Sequence, residues 1–225
     1  MRADGMNKAR IATIRHHSGT VNVLLKPPIE HMQRFWERQI FYEQAMLGYI
    51  RGRNRGGVFV DVGSAIGNHT LFFLAFCDAD LVVSIEPVKS SIEHQRENLA
   101  LNGLEHRALL LNLALGQEHR RANMERFGPN LGQFRISEGE DVQVVTLDSV
   151  VQARDIHGIS LLKIDVEGWE LEVLKGGIET LQEQHPAIFV EILRPGGRAE
   201  ILALLEPLGY TPGLRWSRMF EFVCP

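Results

Sequence analysis

Cysteine is nearly absent: Cys77 and Cys224 are the only two among 225 residues. One distant pair rules out a disulfide framework and predicts reduced thiols, the state of a cytoplasmic protein. A positive surplus is missing too, with 24 Lys and Arg against 28 Asp and Glu and a net charge of −4. Nucleic-acid binding through phosphate neutralisation is therefore not expected. Long apolar runs are also lacking. The densest, Leu71 to Cys77, falls far short of the ~20 residues that span a bilayer. Met1 to Gly19 is polar and basic, without the apolar stretch of a secretory leader. What the chain does have is 44% apolar residues at a length that suits one domain, enough for a sizeable core.

Strand and helix patterns alternate along most of that length. Val58 to Val62 reads as a buried strand that runs into Gly63-Ser64-Ala65-Ile66-Gly67 and then an apolar helix through Phe76. Leu81 to Pro87 predicts a second strand, Ser90 to Leu101 a helix ended by Asn102-Gly103, and Ala108 to Leu115 a third strand. Gly116 to Glu140 is polar and broken by Gly128-Pro129 and Gly132, which suits loops or exposed hairpins where a substrate could be met. Val142 to Asp148 predicts another strand, and Ile159 to Val166 a central one. A helical stretch from Gly168 to Leu181, interrupted near Gly176-Gly177, precedes the strand Ala187 to Ile192 and a last helix, Arg198 to Leu208. Upstream, His31 to Ile50 places apolar residues close to a 3.6-residue period after Pro27-Pro28 and predicts one helix packed on the core. The expectation is an α/β chain with a doubly wound, mostly parallel sheet over residues 53–225 and an N-terminal helical arm over 1–52.

Five predicted strands end on or near an acid: Asp61, Glu86, Asp148, Asp165 with Glu167, and Glu191. In an open parallel sheet ligands bind beyond the carboxyl ends of the strands, so these acids would line one rim. Each alone, Asp148 above all, could instead cap the following helix. Lys163 shares a strand face with Asp165 and reads as a structural ion-pair partner or a snorkelling edge residue rather than a catalytic group, since an unpaired buried ammonium is costly. The sign of the rim separates two cofactors. A dinucleotide brings an anionic pyrophosphate that Asp61 would repel, and Ala65 stands where close approach needs the middle glycine. S-adenosylmethionine brings a sulfonium, an ammonium and ribose hydroxyls, which carboxylates suit. Glu86 fits the ribose contact of either cofactor.

Taken in order, Val60 to Thr70, Ile85-Glu86-Pro87, Asn98 to Gly103, Val145 to Asp148 and Lys163-Ile164-Asp165-Val166-Glu167-Gly168-Trp169-Glu170 resemble the FkbM family of S-adenosylmethionine-dependent methyltransferases, over about residues 40–193. The resemblance implies a class I methyltransferase fold of Rossmann-like type and O-methylation of a hydroxyl on a sugar, glycan or natural product. It places Asp61, Gly63, Ser64, Gly67 and Asn68 around the methionine part of the cofactor, and Glu86 with Pro87 at the ribose. Asn112, Leu113 and Ala114 fall near the adenine, and Tyr42 and Glu43 on a segment that can close over it. Asp165 and Glu167 face the methyl-transfer region. The family more often has Ala-Asn where Ser64-Ala65 stands here.

Transfer to a hydroxyl needs alignment and a proton acceptor, and Asp165, Glu167 or His69 are the candidates. The acid rim could hold magnesium through oxygen ligands, no His/Cys spacing suits zinc, and no metal site is assigned. The acceptor is expected to be a small molecule or glycan; no motif reports on oligomeric state. Two other readings stay open, an NAD-dependent oxidoreductase or sugar epimerase and a non-catalytic module that binds S-adenosylmethionine.

Overall fold

The computed structural model describes residues 8–53, 55–127 and 134–225. An antiparallel hairpin of β1 (Arg10–His16) and β2 (Gly19–Leu25) is followed by α1 (His31–Glu37) and α2 (Gln44–Gly52). Strand and helix then alternate through β3 (Gly57–Val62), α3 (Asn68–Phe76), β4 (Ala79–Ile85), α4 (Lys89–Ala100) and β5 (Ala108–Leu111). Next come β6 (Ala114–Leu115), β7 (Arg120–Arg126), β8 (Phe134–Val145), α5 (Leu147–Ala153) and β9 (Ile159–Ile164). The chain continues with α6 (Glu170–Lys175), α7 (Ile178–Gln184), β10 (Ala187–Glu191), α8 (Gly197–Leu205), β11 (Thr211–Trp216) and β12 (Met219–Val223).

The expected doubly wound sheet is present, seven strands in the order β11-β12-β10-β9-β3-β4-β5. β10, β9, β3, β4 and β5 are parallel, and β12 runs against both of its neighbours. The chain winds outward from β3 to β5 and then returns on the other side of β3 as β9. The switch point therefore lies between β3 and β9, where a crevice must open. The two-residue period of the strands sorts their side chains between two layers. Phe59, Leu161 and Phe189 pack on one face with α3 and the N-terminal segment, while Val60, Leu162 and Val190 pack on the other with α6 to α8.

Because the N-terminal segment covers α3 from outside, that helix is buried all round by Leu71, Phe72, Phe73, Leu74 and Phe76, with no polar stripe. The segment itself corrects two expectations. It begins with a hairpin, whose Ile14, Val21, Val23 and Leu25 are buried against α3. The single helix expected over His31 to Ile50 is two. Its break from Arg38 to Glu43 places Gln39 and Glu43 in the left-handed region, at φ 62° and 56°. Asn68 explains the break: its Oδ1 accepts from Trp36 Nε1 and from Tyr42 N, both at 3.0 Å, and its Nδ2 donates to Tyr42 O at 3.2 Å.

The polar middle carries the antiparallel β7–β8 pair, and it is the strands on either side of it that depart from expectation. Ala108 to Leu115 does not stay in the main sheet; after β5 the chain leaves it at Asn112-Leu113, and β6 joins β8 and β7 in a separate three-stranded sheet. The Val142 to Asp148 strand is the end of β8 in that small sheet and stops at Val145. Thr146 starts α5 by accepting from Ser149 N, so Asp148 lies inside the helix and off the rim. Its carboxylate accepts from Glu179 N and Thr180 N at 3.2 and 2.8 Å and caps the start of α7 instead. Gly128-Pro129 and Gly132 lie outside the described residues.

The Asn98 to Gly103 motif acts on the free edge of β2. Asn98 Oδ1 accepts from Leu24 N at 2.7 Å, Asn102 Oδ1 from Asn22 N at 2.8 Å, and Asn98 Nδ2 reaches Ile66 O in the glycine loop at 3.3 Å. Two asparagines one helical turn apart thus stand in for a neighbouring strand. No helix among the described residues is long and apolar enough to cross a membrane, and both cysteines are free thiols.

Replacing Asn68 would strand the Trp36 and Tyr42 groups in a site with no exposure. Asn68→Ala should lower the unfolding free energy in urea by about 2–4 kcal/mol. A loss below about 0.5 kcal/mol would show that this side chain does not hold the segment.

Candidate active site

The crevice at the switch point is a cavity of about 290 Å³. Gly63 and Ala65 after β3, Glu86 after β4, Asp165 and Glu167 after β9, and Glu191 ending β10 form its floor. Tyr42 and His31 from the N-terminal segment and Met124 and Ile136 from the small sheet close over it.

Within the floor lies Lys163, 1% exposed. Its Nζ is 3.1 Å from Asp61 Oδ1 and 3.8 Å from Asp165 Oδ2, and it donates to Gly63 O at 3.0 Å. Burial pushes this ammonium down, but Asp61 and Asp165 outweigh burial and hold it above its ordinary value. Burial likewise pushes Asp61 up; the Lys163 charge first, then His69 and the Thr70 hydroxyl at 2.7 Å, keep it below the ordinary carboxylate value. The ion pair read from the sequence is present, with a second acid as partner. Asp61 is fully buried and acts on the cavity through Lys163.

The glycine loop is shaped by crowding. Gly63 adopts φ +73°, and a Cβ there would sit 1.8 Å from Asp165 O, so the tip of β9 itself demands glycine. At Gly67, φ +89°, a Cβ would meet Gln95 Cγ at 2.6 Å. Glu86 stitches the loop to the next strand: Ala65 N donates to its Oε2 at 2.9 Å and Val88 N to its Oε1 at 2.8 Å. Burial pushes the Glu86 carboxyl up to about 7, only partly offset by those two amides and Lys163.

A family model of the methyltransferase FkbM domain matches residues 61–212, from the last residues of β3 into β11. The chain belongs to the FkbM methyltransferase family. A 95-residue stretch is 39% identical to methyltransferase sdnD of Sordaria araneosa, covering 38% of this chain and 34% of that one. The crystal structure of methyltransferase FkbM from Methylobacillus flagellatus KT superposes with a TM-score of 0.57 at 19% identity, over 74% of this chain and 43% of that one. The precorrin-6y C5,15-methyltransferase of Geobacter metallireducens GS-15 gives 0.50 at 10% identity, over 81% and 88%. The chain thus spans about a third of the curated relative and under half of the solved FkbM chain. The class I methyltransferase fold follows from these matches.

Within this FkbM domain the sequence-derived residues separate into two layers. Tyr42, Gly63, His69, Glu86, Pro87, Leu113, Ala114, Asp165 and Glu167 line the cavity. Glu43, Asp61, Ser64, Gly67, Asn68 and Asn112 do not; they hold the lining in place. Asn112 Nδ2 donates to the carbonyls of Glu86 and Pro87, both at 2.9 Å, and Ser64 Oγ accepts from Ser84 and Gln95 at 2.8 and 3.0 Å. Glu43 accepts from His69 Nε2 at 3.0 Å. Burial raises that carboxyl, but the His69 hydrogen bond and the His69 and Lys163 charges bring it below its ordinary value. Asn68 belongs to the scaffold of the N-terminal segment. Among the described residues no group of three His, Cys, Asp or Glu side chains is arranged to hold a metal.

Several lining residues were missed. Glu191 was recognised as a strand-tip acid but not assigned to the site, although the strand order puts it beside Asp165. Trp169, Arg218, Met124 and Ile136 come from turns and from the small sheet, and only the topology brings them in.

Lys163→Met would leave Asp61 buried without a counter-charge and should destabilise the fold by about 3–5 kcal/mol in urea; a change under about 1 kcal/mol would overturn the pairing. Glu86 predicts a pH dependence. Its folded value of about 7 lies above its ordinary 4.5, so the folded state binds the extra proton, and the stability contributed below pH 4.5 is lost as pH rises through 7. Between pH 4.5 and 8, wild type should lose about 2–3 kcal/mol relative to Glu86→Gln. His94, which burial lowers, contributes with the opposite sign in both proteins and cancels in that difference.

Proposed function

We propose that the chain transfers a methyl group from S-adenosylmethionine to a hydroxyl oxygen of a sugar, glycan or other natural-product acceptor. On this reading residues 53–225 are the cofactor-binding domain and residues 1–52 an arm that packs on it, with Tyr42 closing over the cofactor. The observation that carries the reading is the state of the glycine loop. The Ala65 amide, which a pyrophosphate would need, is already taken by the Glu86 carboxylate, and Asp61 and Asp165 add negative charge behind it. Such a loop repels an anion and suits a cation with ribose hydroxyls. The NAD alternative is disfavoured for the same reason.

The donor set fits the cofactor. Glu86 would accept from the ribose hydroxyls, Leu113 and Ala114 would flank the adenine, and Gly63 and Asp165 would lie against the methionine part. Bound there, the cofactor would supply an electrophilic methyl carbon on sulfur. The chain's own residues supply alignment, a site from which the N-terminal segment excludes water, and a carboxylate for the hydroxyl proton. The Sordaria relative is known as a methyltransferase only; the acid-rich floor supports the hydroxyl acceptor, since it suits a proton acceptor better than a site for a phosphate backbone.

Calorimetry should show S-adenosylmethionine and S-adenosylhomocysteine binding at least about 100-fold more tightly than NAD. Tight NAD binding without the other two would sink the reading. Binding without S-adenosylhomocysteine formation over a panel of hydroxylated acceptors would favour the non-catalytic module.

A further inference from the structure

The tips of β9 and β10 hold two acids side by side. Val190 pairs with Ile164, so Asp165 and Glu191 follow as neighbours on parallel strands and both line the cavity. Asp165 has the Lys163 ammonium at 3.8 Å, whereas Glu191 forms no ion pair among the described residues. What faces Glu191 is largely acidic: Asp165 from β9, Glu167 from the following loop, Glu170 from α6 and the Tyr42 phenol from the N-terminal segment. Arg218, from the turn between β11 and β12, lines the same cavity. Two carboxyls held side by side on neighbouring strand tips in one cavity disfavour double ionisation, so the pair keeps a proton. Burial first, and then these acids, hold Glu191 well above the ordinary carboxylate range.

Two of the other candidates for the base are engaged elsewhere. His69 is buried and donates to Glu43, and Asp165 is paired with Lys163. We propose that Glu191 and Asp165 share one proton in the cofactor-free protein, that a sulfonium cation bound beside them displaces it to solvent, and that the freed Glu191 carboxylate takes the proton of the acceptor hydroxyl. The inference rests on the S-adenosylmethionine reading above. On transfer the acceptor oxygen forms the new C–O bond, the C–S electron pair stays on sulfur, and the hydroxyl proton ends on Glu191. One positive and one negative charge disappear together, so the site returns to the protonated pair with a neutral thioether beside it.

The test needs no acceptor. Calorimetry at pH 7.5 in two buffers of different ionisation enthalpy gives the protons released when S-adenosylmethionine or S-adenosylhomocysteine binds. Both ligands carry the same ribose, adenine and amino acid, so any release from Glu86 is common to both and only the sulfonium differs. Wild type should release roughly one proton more with S-adenosylmethionine. In Glu191→Gln, checked for folding by its melting curve, the difference should fall below about 0.3 proton, while Glu167→Gln keeps it. Equal release with both ligands in wild type, or a difference that survives in folded Glu191→Gln, overturns the inference. The wild-type comparison stands even if the variant fails to fold. If neither ligand binds, the cofactor reading falls, and this inference with it; if both bind with equal release, only the inference falls.

Discussion

An ammonium group with 1% exposure sits at the carboxyl end of the central strands, and the site is organised around compensating it. Removing a charge from water costs several kcal/mol, which attraction recovers only with close partners and filled hydrogen bonds. Lys163 has both: Asp61 at 3.1 Å, Asp165 at 3.8 Å and the Gly63 carbonyl at 3.0 Å. Asp61 in turn needs the Thr70 hydroxyl, which fixes how α3 leaves the loop. Two acids on one base leave a negative remainder, and Glu86 adds to it on the cavity floor as it ionises. The chemistry that keeps the lysine in the fold therefore also makes the cavity a place for a cation.

These interactions keep their strength only where water is excluded, which makes the N-terminal segment part of the site. Asn68 binds that segment from α3, Asn98 binds it from α4 and Asn102 from the turn that follows, and Asn98 reaches on to the glycine loop at Ile66. His69 ties Glu43 down at 3.0 Å, and it lowers both Glu43 and Asp61. Loosening the segment would expose the ion pair and move the loop together.

Much of this was legible in the sequence. The β3 strand and its glycines, the acids at the tips of β3, β4 and β9, and the Lys163 pairing each follow from local pattern, since period and turn chemistry act within a few residues. Asp148 was misplaced because a strand-ending acid and a helix-internal acid look alike until the cap is known; Thr146 two residues earlier was the cap. The hairpin went unread although Val21, Val23 and Leu25 alternate, because its polar partner strand hid the pattern. Helix periodicity over His31 to Ile50 was real on both halves, and the break between them depends on Asn68, a residue distant in sequence. Tertiary partners decided what local propensity could not.

Glu86 carries the same logic into ligand recognition. Each of its oxygens already accepts one backbone amide, Ala65 N on Oε2 and Val88 N on Oε1. A carboxylate has about four lone-pair sites, so one acceptor position remains on each oxygen, matched to two adjacent hydroxyls on one ring. The side chain is held in that pose before any ligand arrives, so little rotamer freedom is left to lose on binding. A buried acid with a value near 7 weakens the empty fold as it ionises, and two hydroxyl donors would relieve that strain by stabilising the charged form. On the proposed reading, the group that destabilises the empty site would thereby be the one prepared to hold the ribose.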